Sequence, residues 1–188
     1  MNSAPSSVDA PAAAIDWGIS QGDWLRRSPG RVGGAGDHKE WLHFCVYGER
    51  VDVLINFSVV DDIRDAMRPP AVSHVEHARL TLLVRAQGWL GEVQSFDARD
   101  VSIRGGGVEL RFGPSSVRFD GGRYHVRARS ADGSIEASIA LVPVAMPSII
   151  NNVQYGNGPP INWLVVPRLT TSGWIRVGDT VHDLTDAL

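Results

Sequence analysis

The stretch that decides the fold is 40–61, EWLHFCVYGERVDVLINFSVVD. It predicts two strands joined by a tight turn at Gly48-Glu49, because a two-residue loop with glycine first suits a type II′ hairpin. If Tyr47 faces Arg50 across that turn, the register of the whole hairpin follows by counting back. The predicted pairs are Cys45 with Asp52, His43 with Leu54, and Trp41 with Asn56.

The predicted hairpin has two different faces. One is continuous hydrocarbon that must leave water, and it carries Leu42, Phe44, Val46, Val51, Val53, Ile55 and Phe57. The other mixes large aromatic side chains with isolated polar groups, and it carries Trp41, His43, Cys45, Tyr47, Asp52, Leu54, Asn56 and Ser58. This second mixture is typical of the lining of a ligand cavity. The alternative is structural, with Trp41 and Tyr47 capping a barrel end and His43 and Asn56 hydrogen-bonded within the fold.

Composition narrows the class of protein. A chain of 188 residues, 43% of them hydrophobic, is large enough for one domain with its own core. With 18 Lys+Arg against 21 Asp+Glu the formal net charge is −3, which argues against a nucleic-acid partner. Cys45 is the single cysteine, and we expect a small core residue there, not a catalytic thiol. No signal peptide and no membrane span is recognised, so we expect a cytoplasmic protein.

The chain is predicted to have three parts. Residues 1–14 are mostly Ala, Ser and Pro and are expected to form a disordered tail. Residues 15–37 place Trp17 and Trp24 among glycines and arginines, which indicates an irregular arm laid over the body. The glycines of this arm neither follow a strand nor open a helix, so no phosphate-binding loop is predicted. Residues 38–188 make up the main domain.

Beyond the hairpin, the sequence predicts one short helix and then a long succession of strands. The helix is predicted over 61–72, stopped by Pro69-Pro70. The strands are predicted at 78–86, 89–96, 101–104, 108–112, 116–119, 123–130, 134–144, 161–170, 173–177 and 180–184. Spacings of about eight to twelve residues between turn signals indicate an all-β antiparallel barrel or sandwich.

Two later segments are candidates for surface function. In 123–130, RYHVRARS, alternation places His125, Arg127 and Arg129 on one face, with an Asp-Gly turn beyond it. We interpret that face as a solvated basic strip, with an anion site as the alternative. The segment 147–160, PSIINNVQYGNGPP, is the longest predicted connection. It suits a rim over a barrel opening that includes Tyr155, or a plain crossover.

Motifs for catalysis or metal binding are sparse. In an extended chain, His74 and Glu76 point one way and His77 the other, so these residues do not converge on a metal. No Gly-x-Ser-x-Gly elbow or dinucleotide fingerprint is present, and no cofactor is expected. Protonation of a carbon–carbon double bond requires an acid of raised pKa in a dry pocket. Asp52 is the candidate acid on the mixed face, and the alternative is that it pairs with Arg50 or with water.

Three segments carry a resemblance to a known family. They are EWLHFCVYGERVDVLINFSVV, VELRFGPSSVRFDGGRYHVRARSADGSIEASIALVPV and INWLVVPRLTTSGWIRVGDTVHDLTDA, and together they span most of 38–188. This succession resembles the N-terminal lipocalin-like half of the hydroxyneurosporene synthase (carotenoid hydratase) family, which is related to lipocalin-like cyclases of the Diels-Alder type. The resemblance implies a two-barrel protein that hydrates or cyclises polyenes or terpenoids. It implies a pocket-lining role for Trp41, whereas the family's acid motif would follow 181–188, so no family acid is carried over.

We therefore expect an all-β, antiparallel lipocalin-like barrel or sandwich with a short helix and an irregular N-terminal arm. Its expected function is to enclose an apolar polyene or terpenoid and promote hydration or cyclisation, with no catalytic residue assigned. The open alternatives are a non-catalytic carrier of apolar ligands and an interaction domain, in which a second barrel or another copy of the chain covers the apolar faces. The predicted substrate-binding residues are Trp41, His43, Asn56, Ser58, Tyr155 and Trp163.

Overall fold

A computed structural model describes residues 14–15, 18–19, 39–60, 77–104, 106–154, 161–185 and 187. Most of the predicted tail and arm, the predicted helix at 61–72 and the predicted site residue Tyr155 therefore lie outside the described residues. The described part of the chain contains no helix with the length and apolar character of a membrane span.

Thirteen strands, one short 3-10 turn and the helical residues 14–15 and 18–19 are the regular elements of the described structure. The strands are β1 Lys39–Tyr47, β2 Asp52–Val60, β3 His77–Arg85, β4 Trp89–Phe96, β5 Val101–Ile103, β6 Glu109–Phe112, β7 Ser115–Asp120, β8 Arg123–Arg129, β9 Ile135–Pro143, β10 Ser148–Val153, β11 Ile161–Val165, β12 Leu169–Val177 and β13 Thr180–Asp183, and the 3-10 turn is Ala98–Asp100. They form a four-stranded sheet in the order β1-β2-β3-β4, a seven-stranded sheet in the order β13-β12-β9-β8-β7-β6-β5, and the pair β10-β11. Every strand pairing is antiparallel, which confirms the all-β antiparallel prediction. The pairing order does not return to its start, so the described strands form no closed barrel.

The register of the β1–β2 hairpin differs from the prediction by two residues. Tyr47 pairs with Asp52, Cys45 with Leu54, His43 with Asn56 and Trp41 with Ser58. The turn lies one residue later than predicted, since the Gly48 amide donates to the Val51 carbonyl at 3.0 Å. A Cβ at Gly48 would lie 2.9 Å from that carbonyl oxygen. Glycine is therefore needed here because the two backbones approach closely, and it does not occupy the centre of the turn. A shift of two residues leaves every side chain on its predicted face.

The core lies between the inward faces of the two large sheets. All seven predicted apolar residues of the hairpin are buried, and Phe57 is 0% exposed. Phe44 of β1 meets Tyr124 of β8 edge-on with ring centroids 5.4 Å apart, and Phe57 meets Phe112 of β6 at the same separation. Such edge-to-face pairs add about 0.5–1.5 kcal/mol beyond burial. These contacts join the two sheets within one core.

Side chains of the edge strand β4 reach across to the other sheet. Gln94 Nε2 donates to the Arg129 carbonyl at 2.7 Å, and the Ala131 amide donates to Glu92 Oε1 at 2.5 Å. Polar groups at this margin therefore bond to the β8–β9 turn region, where no strand pairing joins the two sheets. They provide partners for a backbone carbonyl and a backbone amide at the β8–β9 turn.

The β8–β9 hairpin follows the sequence prediction closely. Tyr124, Val126 and Ala128 are each 1% exposed, whereas Arg127 and Arg129 point outward and are exposed. In the predicted turn, the Asp132 carboxylate accepts hydrogen bonds from the Ser134 amide and from the hydroxyls of Ser130 and Ser134. The Ser134 amide, followed by the two hydroxyls, lowers the pKa of Asp132 to about 2.

The C-terminal third differs from the prediction in two places. The predicted connection 147–160 contains strand β10, which pairs with β11 through a bulge at Asn152, where φ is 56°. The predicted strands 161–170 and 173–177 are instead β11 and a longer β12 that runs through Gly173 without a break. Gly173 has φ +119°, and an added Cβ would lie 2.2 Å from the Ser138 carbonyl oxygen. Glycine here permits a close strand approach within the sheet and does not end a strand.

We expect Gly173→Ala to destabilise the protein by about 3 kcal/mol or more, because the methyl group meets backbone and the φ value is unfavourable for alanine. Gly178→Ala is the matched control, since Gly178 also has positive φ (+58°) but has open space around its Cβ position. The control should cost about 1–2 kcal/mol in urea unfolding. Equal losses for the two variants would show that β12 does not approach β9 this closely.

Candidate functional site

The outward side chains of β1–β4, here called the Trp41 face, form an ordered grid. Strand register aligns them in four rows: Trp41-Ser58-Arg79-Ser95, His43-Asn56-Thr81-Val93, Cys45-Leu54-Leu83-Gly91 and Tyr47-Asp52-Arg85-Trp89. Of the two central rows, the one with Leu54 and Leu83 is apolar and the one with His43 and Asn56 is mostly polar, and charged groups stand only in the outer rows. Four predicted substrate-binding residues therefore lie together, in two adjacent rows of one sheet face.

A short hydrogen-bonded chain runs through the middle of the Trp41 face. Asn56 Nδ2 lies 3.2 Å from His43 Nδ1, and His43 Nε2 lies 3.0 Å from Cys45 Sγ. Because the amide must donate to Nδ1, the imidazole is a neutral tautomer with its proton on Nε2, directed at the sulfur. Burial lowers the pKa of His43, which also favours the neutral ring. Ser58 is engaged separately, since its hydroxyl donates to the Arg79 carbonyl at 3.4 Å.

The apolar groups of the Trp41 face are open to solvent. Trp41 is 37% exposed, Val93 60%, and Tyr47 and Trp89 61% each. The described residues thus present an open surface at the place where the sequence predicted a cavity wall. Substrate binding by Trp41, His43, Asn56 and Ser58 stays a prediction. It now concerns this open sheet face and not a cavity wall.

Asp52 is held by Arg85, not by Arg50. The two residues face each other across β2 and β3, and the guanidinium donates to Asp52 Oδ2 from Nε at 2.7 Å and from Nη2. Asp52 is only 8% exposed, so its carboxylate depends on this partner. The candidate acid is therefore one half of an ion pair.

The remaining predicted residues are elsewhere. Trp163 lies on β11 opposite Ile150 and is 53% exposed. Among the described strands, β11 pairs only with β10, so strand pairing does not bring Trp163 to the Trp41 face. Tyr155, His74 and Glu76 lie outside the described residues, and His77 begins β3. The described residues contain no group of three or more His, Cys, Asp or Glu side chains placed to hold a metal ion.

A second candidate surface lies on the seven-stranded sheet, and the sequence predicts only part of it. The outward face of the seven-stranded sheet contains a depression of about 910 Å³, here called the arginine groove. Its walls include Arg111, Arg118, Arg127 and Trp174, and its floor is made of short side chains. The sequence marked Arg127 as outward-facing, and the same alternation places Arg111 and Arg118 outward on β6 and β7. These arginines and Trp174 lie close together because of the registers of several hairpins. Alternation along a strand predicts the face of a residue but not these registers.

No protein-family model, curated protein or solved structure matches this chain. The resemblance to the carotenoid hydratase family consequently stays a prediction.

We expect the His43 imidazole to titrate below the ordinary value of 6.5, because desolvation disfavours its charged form and no carboxylate among the described residues is paired with it. Since the unfolded chain then takes up this proton first, the free energy of unfolding should fall as pH drops below about 6.5. Proton NMR titration measures this pKa, and the resonance missing from the His43→Gln spectrum identifies the residue. A midpoint at or above 6.5 would contradict the assignment.

Arg85→Ala should destabilise the protein by about 1–3 kcal/mol, because it leaves the buried Asp52 carboxylate without its guanidinium. Arg79→Ala, six residues earlier on the same face of β3, is the matched control and should change stability by less than about 0.5 kcal/mol. Adding Asp52→Asn to Arg85→Ala should recover part of the loss in chemical denaturation. If the two arginine variants are equally stable, the pair is not a stabilising one.

Proposed function

We propose that this chain binds an apolar polyene or terpenoid and holds it against the Trp41 face. The observation that carries the proposal is the set of exposed aromatic and aliphatic side chains that one sheet face presents along its two edge strands, Trp41, Tyr47, Trp89 and Val93. Leu54 and Leu83 lie between them in adjacent strands and extend the apolar strip. Exposed apolar patches with polar surroundings mark ligand or partner sites.

The shape of this strip suits a long, flat ligand. Four strands at about 4.8 Å spacing give a face about 14 Å wide, which is long enough for several conjugated double bonds. Covering an aromatic side chain with such a ligand removes apolar area from water on both partners, at about 25 cal/mol per Å². Planar polyenes also match the flat faces of Trp and Tyr rings.

The polar chain of Asn56, His43 and Cys45 supplies orientation. Polar groups in an apolar site typically fix one end of the ligand and give specificity. A hydroxyl or carbonyl on a terpenoid end group has a hydrogen-bonding partner in this chain, whereas a pure hydrocarbon does not. We therefore propose an oxygenated end group on the preferred ligand.

Binding is better supported than conversion. Hydration or cyclisation, the activity that the family resemblance implies, begins with proton transfer to a double bond. On the Trp41 face, the neutral His43 ring directs its proton at Cys45, and Asp52 is engaged by Arg85. We propose a non-catalytic carrier of apolar ligands first, with hydratase or cyclase activity as the alternative. For the architecture we propose a two-sheet sandwich, supported by the Phe44–Tyr124 and Phe57–Phe112 contacts.

All-trans-retinol is a suitable probe because it is a fluorescent terpenoid polyene with a hydroxyl end group. We expect its emission to rise on binding, and Trp41→Ala to weaken the affinity by about tenfold or more. Trp174→Ala is the matched control, since it removes an equally exposed indole, 37% in both cases, from the opposite sheet. The control should bind retinol like the unaltered protein.

Mass spectrometry of the recovered ligand separates carrier from enzyme. A carrier returns retinol unchanged, hydration adds the mass of one water, and cyclisation changes retention at constant mass. Equal affinities for the two tryptophan variants would refute binding at the Trp41 face. No retinol binding, together with a dimer in light scattering, would instead favour a protein partner on this face.

A further inference from the structure

We propose that the arginine groove on the outward face of the seven-stranded sheet binds a small organic phosphate that carries an aromatic ring. This site is independent of the Trp41 face, because it lies on the other sheet and on the far side of the core.

Strand register defines the groove. One row across the sheet runs Trp174, Ser138, Arg127, Ser116, Arg111, Ser102. Every long side chain in this row is thus followed by a serine, so the arginines stand apart with short residues between them. In the next row, Ala140 and Ser172 continue the low floor beside His125. Short side chains between long ones explain why this sheet face has a depression. The depression has a volume of about 910 Å³, which suits one small ligand.

The charge of the groove opposes that of the whole chain. Four arginines, at 104, 111, 118 and 127, line it against one acidic residue, Glu109. The net charge of the whole sequence is −3, so positive charge is concentrated here. A surface of this sign attracts anions.

Two of the arginines are available to a ligand. Arg104 is paired with Glu109 at 2.9 Å, and Arg118 lies 3.4 Å from Asp120 on its own strand. Within the described residues, no carboxylate lies within ion-pair distance of Arg111 or Arg127. The two residues stand two strands apart in one row, so their backbone positions are about 9.6 Å apart by strand spacing. Arginine forks bind phosphate oxygens bidentately, which favours a phosphate chain lying between them.

Trp174 supplies the other end of the site. It is two strands from Arg127, about 9.6 Å, with only Ser138 between them in the row. Its indole is 37% exposed and offers a stacking surface at the edge of the floor. Asp183 faces Trp174 from β13, and its carboxylate disfavours an anionic group at this end. The ring of the ligand therefore belongs at Trp174 and the phosphates at the arginines.

ATP, tripolyphosphate and adenosine are probes that separate the two contributions. In isothermal titration of the full chain, we expect ATP to bind more tightly than either fragment, and its affinity to fall with added salt. Trp174→Ala should weaken ATP binding by about fivefold or more and leave tripolyphosphate binding unchanged. Arg111→Ala with Arg127→Ala should weaken both phosphate probes by about tenfold or more.

The matched control is Arg50→Ala with Arg99→Ala, which removes the same charge from exposed arginines outside the groove. This control should bind ATP within about twofold of the unaltered protein. Circular dichroism and thermal unfolding verify that all variants are folded. The comparison of ATP, tripolyphosphate and adenosine uses only the unaltered protein. Absent ATP binding at about 1 mM, equal affinities of the two double variants, or equal affinities for ATP and tripolyphosphate would each overturn the proposal. Much tighter binding of a twelve-residue oligothymidylate than of ATP would also overturn it, in favour of a nucleic-acid strand.

Discussion

The edge-on contacts of Phe44 with Tyr124 and of Phe57 with Phe112 join the two large sheets, and the other features of the molecule depend on them. Because successive strand residues point to opposite faces, each strand that gives one side to this core leaves its other side outward. Leu80 and Leu82 are 0% exposed, and Phe112 fills the opposite wall. Side chains therefore occupy the space between the sheets, and the proposed ligands are assigned to the outward faces.

The two outward faces differ in chemistry for a sequence reason. On β1–β4 the outward positions carry Trp41, Leu54 and Leu83 among polar side chains, so this face offers exposed apolar surface. On β6–β8 they carry Arg111, Arg118 and Arg127, so that face is basic. An apolar ligand is attracted by the first through loss of water contact, and an anion by the second through charge. With the filled core between them, we expect the two ligands to bind without competition.

Much of the fold could be predicted from period-two alternation. Alternation assigned the buried face of the hairpin correctly and predicted β4 with the bounds that the structure has. It also assigned Tyr124 and His125 correctly to opposite faces of β8. It did not fix the β1–β2 register, because the sequence did not show that Gly48 accommodates the Val51 carbonyl instead of forming the turn. It also divided β12 at Gly173, because a glycine that permits a close strand approach has the same sequence signature as a turn. Lateral neighbours such as Trp174 and Arg127 depend on several registers together, so only the structure brings them into one site.

The central claim is that an apolar ligand lies on the Trp41 face and not between the sheets. Leu82 and Leu83 are adjacent in β3 and point to opposite sides, and Leu82 is 0% exposed. Nuclear Overhauser contacts from bound retinol to leucine methyl groups therefore distinguish the two locations within one strand. Contacts to Leu83 and Leu54 without contacts to Leu82 and Leu80 are the predicted result. Contacts to Leu82 and Leu80 would place the ligand inside the fold and contradict the account.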